Sequence, residues 1–301
     1  MKRPIIYTAL LSVMLVMIGC GDDNDNKSQQ GSNNPSENKP DTGLSEIQKQ
    51  KILDVAEETG IISLKESLLS GVVDTLLYGT DEANTEEDCA SGNYSKVGDV
   101  ITFNNCKGLY QAVTYLNQSQ DLTVSGQVMI SADSYQYQNL VLNAANGESK
   151  TVNGTLKLVD TATTNTVSTD SLKVKATEQN GTATAQVDYT LTDFKLTYTQ
   201  NSATEVALDT QGSLSVTNSS VGDYSIKFEN TSPFLVKFDS EEDEVVSYPY
   251  AGALKVTNTG YGSTTTLTAN TDKKTVRYVV SVAGKELSSG TKNWSEVLGY
   301  K

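Results

Sequence analysis

Few side chains in this chain of 301 residues have the types and spacing needed for catalysis. It contains no histidine, so it lacks the commonest general base and every serine–histidine or cysteine–histidine arrangement. Two carboxylates could in principle hydrolyse a glycosidic bond, but nothing in the sequence singles out such a pair. We therefore predict that the protein is not an enzyme, and we assign it no catalytic residue and no cofactor.

Cys20 stands where a lipid could be attached. Lys2 and Arg3 precede an apolar run at 5–18, which is typical of a secretory signal peptide and too short to span a bilayer. The run closes with four residues that resemble a bacterial lipobox, although leucine is usual at the first of them: Met17, Ile18, Gly19 and Cys20. We predict that 1–19 is a signal peptide and that Cys20 carries acyl chains such as palmitate, which anchor the protein to a membrane. The alternative is an ordinary signal peptide or an inserted anchor with a chance cysteine.

The residues after Cys20 indicate to which membrane the lipoprotein is sorted. Gly21, rather than aspartate, follows the cysteine, which resembles the form that proteobacteria pass on to the outer membrane. Three acidic residues then resemble the surface-export signal of some Bacteroidota lipoproteins: Asp22, Asp23 and Asp25. The alternative for these acids is a soluble spacer. We predict an outer-membrane location, on the periplasmic face or at the cell surface.

A polar segment separates the anchor from the rest of the chain. Residues 21–43 include no aliphatic or aromatic side chain, so nothing there offsets the entropy lost on ordering. We predict a flexible linker over 20–43. The formal net charge of -14 argues against a nucleic-acid partner, because phosphate binding depends on clusters of lysine and arginine.

Cys89 and Cys106 remain as a pair once the anchor cysteine is acylated. In an exported protein an even pair favours a disulfide. A two-residue turn at 97–98 would place the two cysteines opposite one another in a hairpin and would set Tyr94 opposite Ile101. We predict a structural disulfide that fastens this first hairpin.

Two further groups of residues could form binding sites. The acidic run at 241–244 could bind calcium only if a shaped loop made its oxygens converge, so a solvated hairpin tip is favoured and no metal site is predicted. Fifteen tyrosines and one tryptophan could line a sugar-binding face, but tyrosine also suits strands, so most of them are expected to be structural. Five tyrosines lie close to turns and are the least well explained as core residues: Tyr135, Tyr137, Tyr248, Tyr250 and Tyr261.

The region that follows the linker carries helical signals. Ser45 with Gln48 and Ser63 with Glu66 form capping patterns, and Gly60 stands at the predicted end of the first helix. The second helix has a broad apolar stripe that must be covered: Ile61, Leu64, Leu68, Leu69, Val72, Val73, Leu76 and Leu77. We predict a helical hairpin over 44–79, with the sheet that follows as its cover. A partner helix or a membrane surface is the alternative cover.

From about residue 88 to residue 298, apolar and polar residues alternate in short runs separated by turn signals. Four runs begin with the pattern Gly-x-apolar-x-apolar, at spacings too irregular for a repeat protein: Gly126, Gly154, Gly212 and Gly252. We predict that these glycines relieve bends in the strands. The fold class is mainly β, with a large curved antiparallel meander of ten to thirteen strands over 80–301, forming an open or closed barrel on which the helical hairpin packs.

These motifs together resemble a loose group of uncharacterised Gram-negative β-rich outer-membrane lipoproteins. The resemblance is carried by the lipobox, the cysteine hairpin, the glycine strands and a terminal tryptophan segment: Cys20, Cys89, Gly98, Phe103 to Cys106, and Trp294 to Leu298. It implies a lipid-anchored β-rich domain and brings no known activity.

Our leading hypothesis is a membrane-anchored lipoprotein that presents a β-rich domain for binding or for envelope structure. Its partners would be the membrane, through Cys20, and a carbohydrate, lipid or protein ligand whose site is unknown. One alternative is a carrier of lipid or another hydrophobic ligand with a half-barrel body. The other is a carbohydrate-active enzyme that uses two carboxylates.

Overall fold

The fold was analysed in a computed structural model that describes residues 43–62, 70–85, 87–113, 119–180, 183–219, 221–239 and 244–298. Thirteen strands form one antiparallel sheet in which each strand pairs with the next along the chain, and the two-residue strand β10 pairs with β9 off this path. The sheet does not close, so β1 and β14 are its edges. The prediction of a mainly β antiparallel meander is confirmed, and of the two barrel forms the open one is observed.

The strands follow one another in chain order: β1 (Ser91–Val97), β2 (Val100–Val113), β3 (Ser119–Ser131), β4 (Ser134–Asn143), β5 (Ser149–Asp160), β6 (Thr164–Asn180), β7 (Ala183–Ser202), β8 (Glu205–Thr217), β9 (Tyr224–Asp239), β10 (Glu244–Val245), β11 (Ala251–Asn258), β12 (Ser263–Ala269), β13 (Thr275–Val282) and β14 (Lys285–Asn293). Buried and exposed side chains alternate along them, as in β12, because successive side chains of a strand point to opposite faces.

Two helices precede the sheet and a short one ends the described chain: α1 (Glu46–Ile62), α2 (Ser70–Asn84) and α3 (Trp294–Leu298). The predicted cap of α1 is present, because the Gln48 amide donates to Ser45 Oγ at 3.3 Å and the Ser45 amide donates to Gln48 Oε1 at 3.0 Å. The predicted end at Gly60 is wrong, since α1 continues to Ile62. The predicted start of the second helix at Ser63 lies outside the described residues, and α2 ends at Asn84. None of the helices in the described chain is long and apolar enough to cross a membrane.

A line of irregularities crosses the sheet from β2 to β11. Register shifts occur in every neighbouring pair along this path except β6 and β7. Gly126, Gly154 and Gly252 lie at these shifts with positive φ, which a residue without a side chain adopts most easily. Bulges bend strands and increase their twist, so the line curves the sheet. The fourth glycine, Gly212, makes room instead, because a Cβ there would lie 2.8 Å from the ring of Phe228.

The main hydrophobic core contains residues of the sheet and of all three helices, and two smaller clusters lie apart from it. Helix α2 packs on β2 with its predicted apolar stripe, of which Val73, Leu76 and Leu77 are buried. Helix α1 packs against β13, where Ile52 and Ala56 meet valine side chains. Large side chains that are fully buried fill the main core: Trp294, Tyr110, Tyr135, Tyr137, Phe228, Leu76, Leu77, Leu140 and Leu156.

Cys89 and Cys106 form a disulfide beside the first hairpin. The predicted register of the hairpin is wrong, because Val97 pairs with Val100 and Tyr94 pairs with Phe103. The turn therefore lies at 98–99, one residue later than predicted. Cys89 lies before β1, outside the paired residues of the hairpin, so the disulfide forms without the regular pairing that the prediction assumed. A crosslink that closes a loop of this length stabilises a fold by about 3 kcal/mol in the chain-entropy model.

Candidate ligand-binding site

Tyr250 is the centre of a group of charged side chains at one end of the sheet, which we call the Tyr250 cluster: Tyr250, Glu205, Lys237 and Lys273. The Tyr250 hydroxyl donates to Glu205 Oε2. The ammonium of Lys237 lies 5.2 Å from the centroid of the tyrosine ring, and that of Lys273 lies 5.6 Å from it. Both distances fall within the range of cation–π attraction. Four separate parts of the chain thus place an aromatic ring, two cations and one carboxylate together.

The segment that carries Tyr250 joins β10 to β11 and is held by hydrogen bonds along its length. The Tyr250 amide donates to the Leu235 carbonyl at 3.1 Å, and Ser247 Oγ accepts from the Lys237 amide at 2.8 Å. Between them, the Pro249 carbonyl accepts from the Trp294 indole nitrogen at 3.0 Å. These contacts fix the backbone from which the Tyr250 ring projects.

Glu205 is the anionic partner in the Tyr250 cluster. Its pKa is lowered by hydrogen bonds from the Tyr250 hydroxyl and from Asn201, and by the nearby charge of Lys237, whose ammonium lies 3.7 Å from Glu205 Oε2. Desolvation and the bond to Glu205 raise the pKa of Tyr250. At neutral pH the Glu205 carboxyl is therefore ionised and the Tyr250 phenol is neutral.

The lowered pKa of Glu205 leads to a prediction for the Tyr250→Phe variant. Phenylalanine keeps the ring but cannot donate a hydrogen bond, so we expect the pKa of Glu205 to rise toward its ordinary value. A folded-state pKa below that of the unfolded chain means that ionised Glu205 stabilises the fold at neutral pH and that this contribution is lost as pH falls through the folded-state pKa. A carboxyl-carbon NMR titration measures the shift.

Asp272 supplies an internal control for that titration. Its pKa is also lowered, but by the Thr275 hydroxyl and by the backbone amides of Lys274 and Thr275. The Tyr250→Phe change should leave the Asp272 titration where it is. An unchanged Glu205 pKa in the variant would show that the tyrosine hydroxyl does not act on this carboxylate.

The turn between β12 and β13 presents Lys273. Asp272 Oδ1 accepts from the amides of Lys274 at 2.8 Å and Thr275 at 2.9 Å, while Oδ2 accepts from the Thr275 hydroxyl at 2.6 Å. Lys273 itself has a φ of 58°, a left-handed conformation that is uncommon for a residue with a side chain. The bonds around Asp272 hold the backbone of this turn, from which the exposed Lys273 side chain extends.

The five tyrosines that lie close to turns have different positions. Tyr135 and Tyr137 are almost completely buried, so their assignment as poorly explained core residues is wrong. Tyr248 is half-buried and packs against the main core. Tyr261 has the Lys51 ammonium 5.9 Å from its ring. Of the five, Tyr250 combines partial exposure with two neighbouring cations.

Tyr135 and Tyr137 belong to a polar contact between α2 and the sheet. Thr80 Oγ1 lies 3.0 Å from the Tyr110 hydroxyl and 3.4 Å from that of Tyr137, and the Tyr135 hydroxyl donates to Asp81. Burial raises the pKa of both Tyr110 and Tyr137, which therefore remain neutral. These hydroxyls satisfy one another inside the fold, so we assign them a structural role.

An open depression of about 570 Å³ lies beside the disulfide on β1. It is lined by Asp88, Cys89, Gly92, Asn93, Tyr94 and Lys96. The lysine that lines it already has a hydrogen-bond partner, because the Lys96 ammonium donates to Asn84 Oδ1 at 3.0 Å. The Tyr250 cluster is the stronger candidate, since it places two cations on one ring.

Several predicted features fall on parts of the chain that the structure does not describe. Cys20, the linker up to residue 42 and residues 241–243 of the acidic run lie outside the described residues. Within the described ranges, no group of three or more cysteine, aspartate or glutamate side chains is arranged to hold a metal ion.

Sequence reasoning missed three members of the Tyr250 cluster, Glu205, Lys237 and Lys273. Glu205 and Lys237 occupy adjacent strands and are paired in register, which cannot be read from positions 32 residues apart. For Lys273 the sequence contains one local signal, because Asn270 and Asp272 beside it are typical of a tight turn. Only folding brings that turn to Tyr250.

Comparisons with known proteins found no match for this chain among protein-family models, curated proteins or solved structures.

Proposed function

We propose that the protein is a lipoprotein of the bacterial outer membrane, anchored through acylated Cys20, that presents its β-rich domain for a binding or structural role. The linker over 20–43 would hold the domain away from the membrane, and the capped start of α1 at Ser45 agrees with order beginning directly after it. Two or more acyl chains suffice for stable anchoring without a membrane-spanning segment.

The observation that carries the proposed role is the filled inner face of the sheet. A hydrophobic carrier needs an apolar cavity between the sheet and the second helix. In the part of the second helix that the structure describes, the protein's own side chains occupy this space, since Leu76, Leu77 and Tyr110 are fully buried there. A ligand is therefore more easily accommodated on the outside of the domain, which favours presentation over transport.

The carbohydrate-active enzyme was the other alternative. It requires a second carboxylate facing the first across a cleft. The two carboxylates of such a pair lie about 5–10 Å apart and are not bonded to one another. No observation on the described residues singles out a pair of this kind, so we propose presentation rather than glycoside hydrolysis.

Replacing Cys20 with alanine tests the anchor. We expect the Cys20→Ala variant to lose incorporation of a palmitate analogue in growing cells, because the acylated thiol is gone. The readout is the label on the immunoprecipitated protein. The anchor proposal is wrong if the variant is labelled as strongly as the wild type.

The matched control removes the other two cysteines. A variant with both Cys89→Ala and Cys106→Ala lacks the disulfide but keeps Cys20, and it should retain the label in full. The comparison separates loss of the acylation site from loss of any thiol.

A further inference from the structure

We propose that the Tyr250 cluster binds an acidic sugar unit, with the sugar ring packed on Tyr250 and its carboxylate held by Lys237 and Lys273. This inference rests on the proposed function, because it names the ligand of a domain that is presented outside the membrane. It concerns a site on the domain itself, so it can fail while the anchor remains.

The charges at the site favour an anion. Two ammonium groups share one ring, and within the Tyr250 cluster the carboxylate of Glu205 pairs with Lys237. Among the described residues, Lys273 makes no ion pair, and it is exposed. An incoming carboxylate would complete the pairing.

The aromatic ring favours a sugar over a simple anion. Tyrosine has an apolar face that can pack on the carbon-bound hydrogens of a pyranose ring, and a polar tip. Here the tip is fixed by its hydrogen bond to Glu205, so the ring orientation is set before a ligand arrives. Glu205 keeps its charge because its pKa is lowered, and it can accept a hydrogen bond from a sugar hydroxyl.

Preorganisation of the second cation adds to this argument. Lys273 has a positive φ, and the bonds of Asp272 hold its turn. Residues in sparsely populated conformations persist where the surroundings enforce them, and they occur often at ligand-binding sites. A group already held in place loses less entropy when a ligand binds.

Two other tyrosines in the described chain have a lysine ammonium near the ring and serve as comparisons. Lys51 lies 5.9 Å from the Tyr261 centroid and Lys292 lies 5.9 Å from that of Tyr278. Each of these rings has one lysine rather than two. A single lysine beside tyrosine is thus a recurrent surface contact in this fold, and the doubled arrangement at Tyr250 distinguishes the site.

The purified full-length lipoprotein, held in detergent micelles, is titrated with trigalacturonate, and isothermal calorimetry measures the heat of binding. The same oligosaccharide with its carboxyls methyl-esterified is the neutral control, and citrate is the anion without a sugar ring. We expect saturable binding of trigalacturonate that weakens at high salt, because salt screens charges at the surface. The ester and citrate should each bind more weakly.

Three variants separate the contributions of the side chains. Lys273→Gln should weaken trigalacturonate binding by up to about fivefold, the upper end of the range expected for an exposed ion pair. Tyr250→Leu should abolish detectable binding. Lys51→Gln, beside Tyr261, should leave the affinity unchanged. A thermal melt of each variant shows that it is folded, and Lys273→Gln lies on an exposed turn that does not contribute to the core.

Four outcomes would overturn the inference: no saturable binding of trigalacturonate, equal binding of the methyl ester, equal binding of citrate, or an unchanged affinity in Lys273→Gln. None of them bears on Cys20, whose acylation is read from the palmitate label. If Cys20→Ala loses the palmitate label and the wild type does not bind trigalacturonate, the proposed lipid anchor is supported and the proposed acidic-sugar ligand is wrong.

Discussion

Replacing Trp294 with alanine is expected to lower the free energy of unfolding by about 3–5 kcal/mol, the range for deletion of a large buried aromatic side chain. Trp294 is 0% exposed, and its ring packs edge to face on Phe234 with centroids 5.6 Å apart. The change would leave a cavity beside α3 and would remove the hydrogen bond to the Pro249 carbonyl. Chemical denaturation followed by circular dichroism measures the loss.

Two variants make the Trp294 result interpretable. Trp294→Phe keeps an aromatic ring and removes the indole donor, so its cost should be smaller than that of the alanine variant. Val159→Ala shortens a side chain that is 54% exposed and should change stability by no more than about 0.5 kcal/mol. A loss of less than about 1 kcal/mol in Trp294→Ala would mean that the end of the sheet is not held by this residue.

The Trp294 contact also connects the core to the Tyr250 cluster. Pro249 directly precedes Tyr250, and its carbonyl is held by the tryptophan. We therefore expect Trp294→Phe to weaken trigalacturonate binding even where the protein remains folded.

Gly126→Ala is expected to destabilise the fold by about 2–5 kcal/mol, through a conformational cost and a steric one. Gly126 has a φ of 109°, so a side chain there is strained. A Cβ at this position would also lie 2.2 Å from the Asn139 carbonyl oxygen on the neighbouring strand. The backbone cannot yield to it without disturbing the line of bulges. Equilibrium unfolding measures the cost.

Gly284→Ala is the matched control for Gly126→Ala. Gly284 has a φ of 76°, but a Cβ there would meet nothing within 4 Å. The free energy of unfolding of this variant should fall only by the conformational cost of placing a side chain at positive φ, about 1–2 kcal/mol. If the free energy of unfolding falls equally in both variants, the close approach of the strands at Gly126 does not contribute to the destabilisation.

The order of the strands could be predicted because it depends on local signals. Alternation of apolar and polar residues has a period of two, and turn residues separate the runs, so a meander follows from the sequence. The cap at Ser45 and the buried stripe of α2 are equally local. The end of α1 was placed two residues early because Gly60 does not stop the helix, which includes it.

The register of the first hairpin shows where local signals were insufficient. The turn was set at 97–98 so that Cys89 and Cys106 would face one another in regular pairing. The structure has the same disulfide with the turn at 98–99, because Cys89 lies before β1 and is not bound to the register of the hairpin. The arithmetic assumes regular pairing as far as Cys89, and no local signal in the sequence marks where that pairing begins.

The sequence alone determined the mainly β class, the meander and the helices that precede it, because periodicity and capping act between residues close in the chain. It also supplied the prediction of Cys20 as an anchor, since a lipobox is a contiguous motif. Only the tertiary structure decided which tyrosines are buried and which one meets two lysines. Tyr137 and Tyr250 both lie near turns, yet Tyr137 is buried under α2 and Tyr250 is partly exposed beside Lys237 and Lys273. The physical reason is that burial and charge proximity depend on contacts between distant strands, and these are set by how the bulged sheet curves.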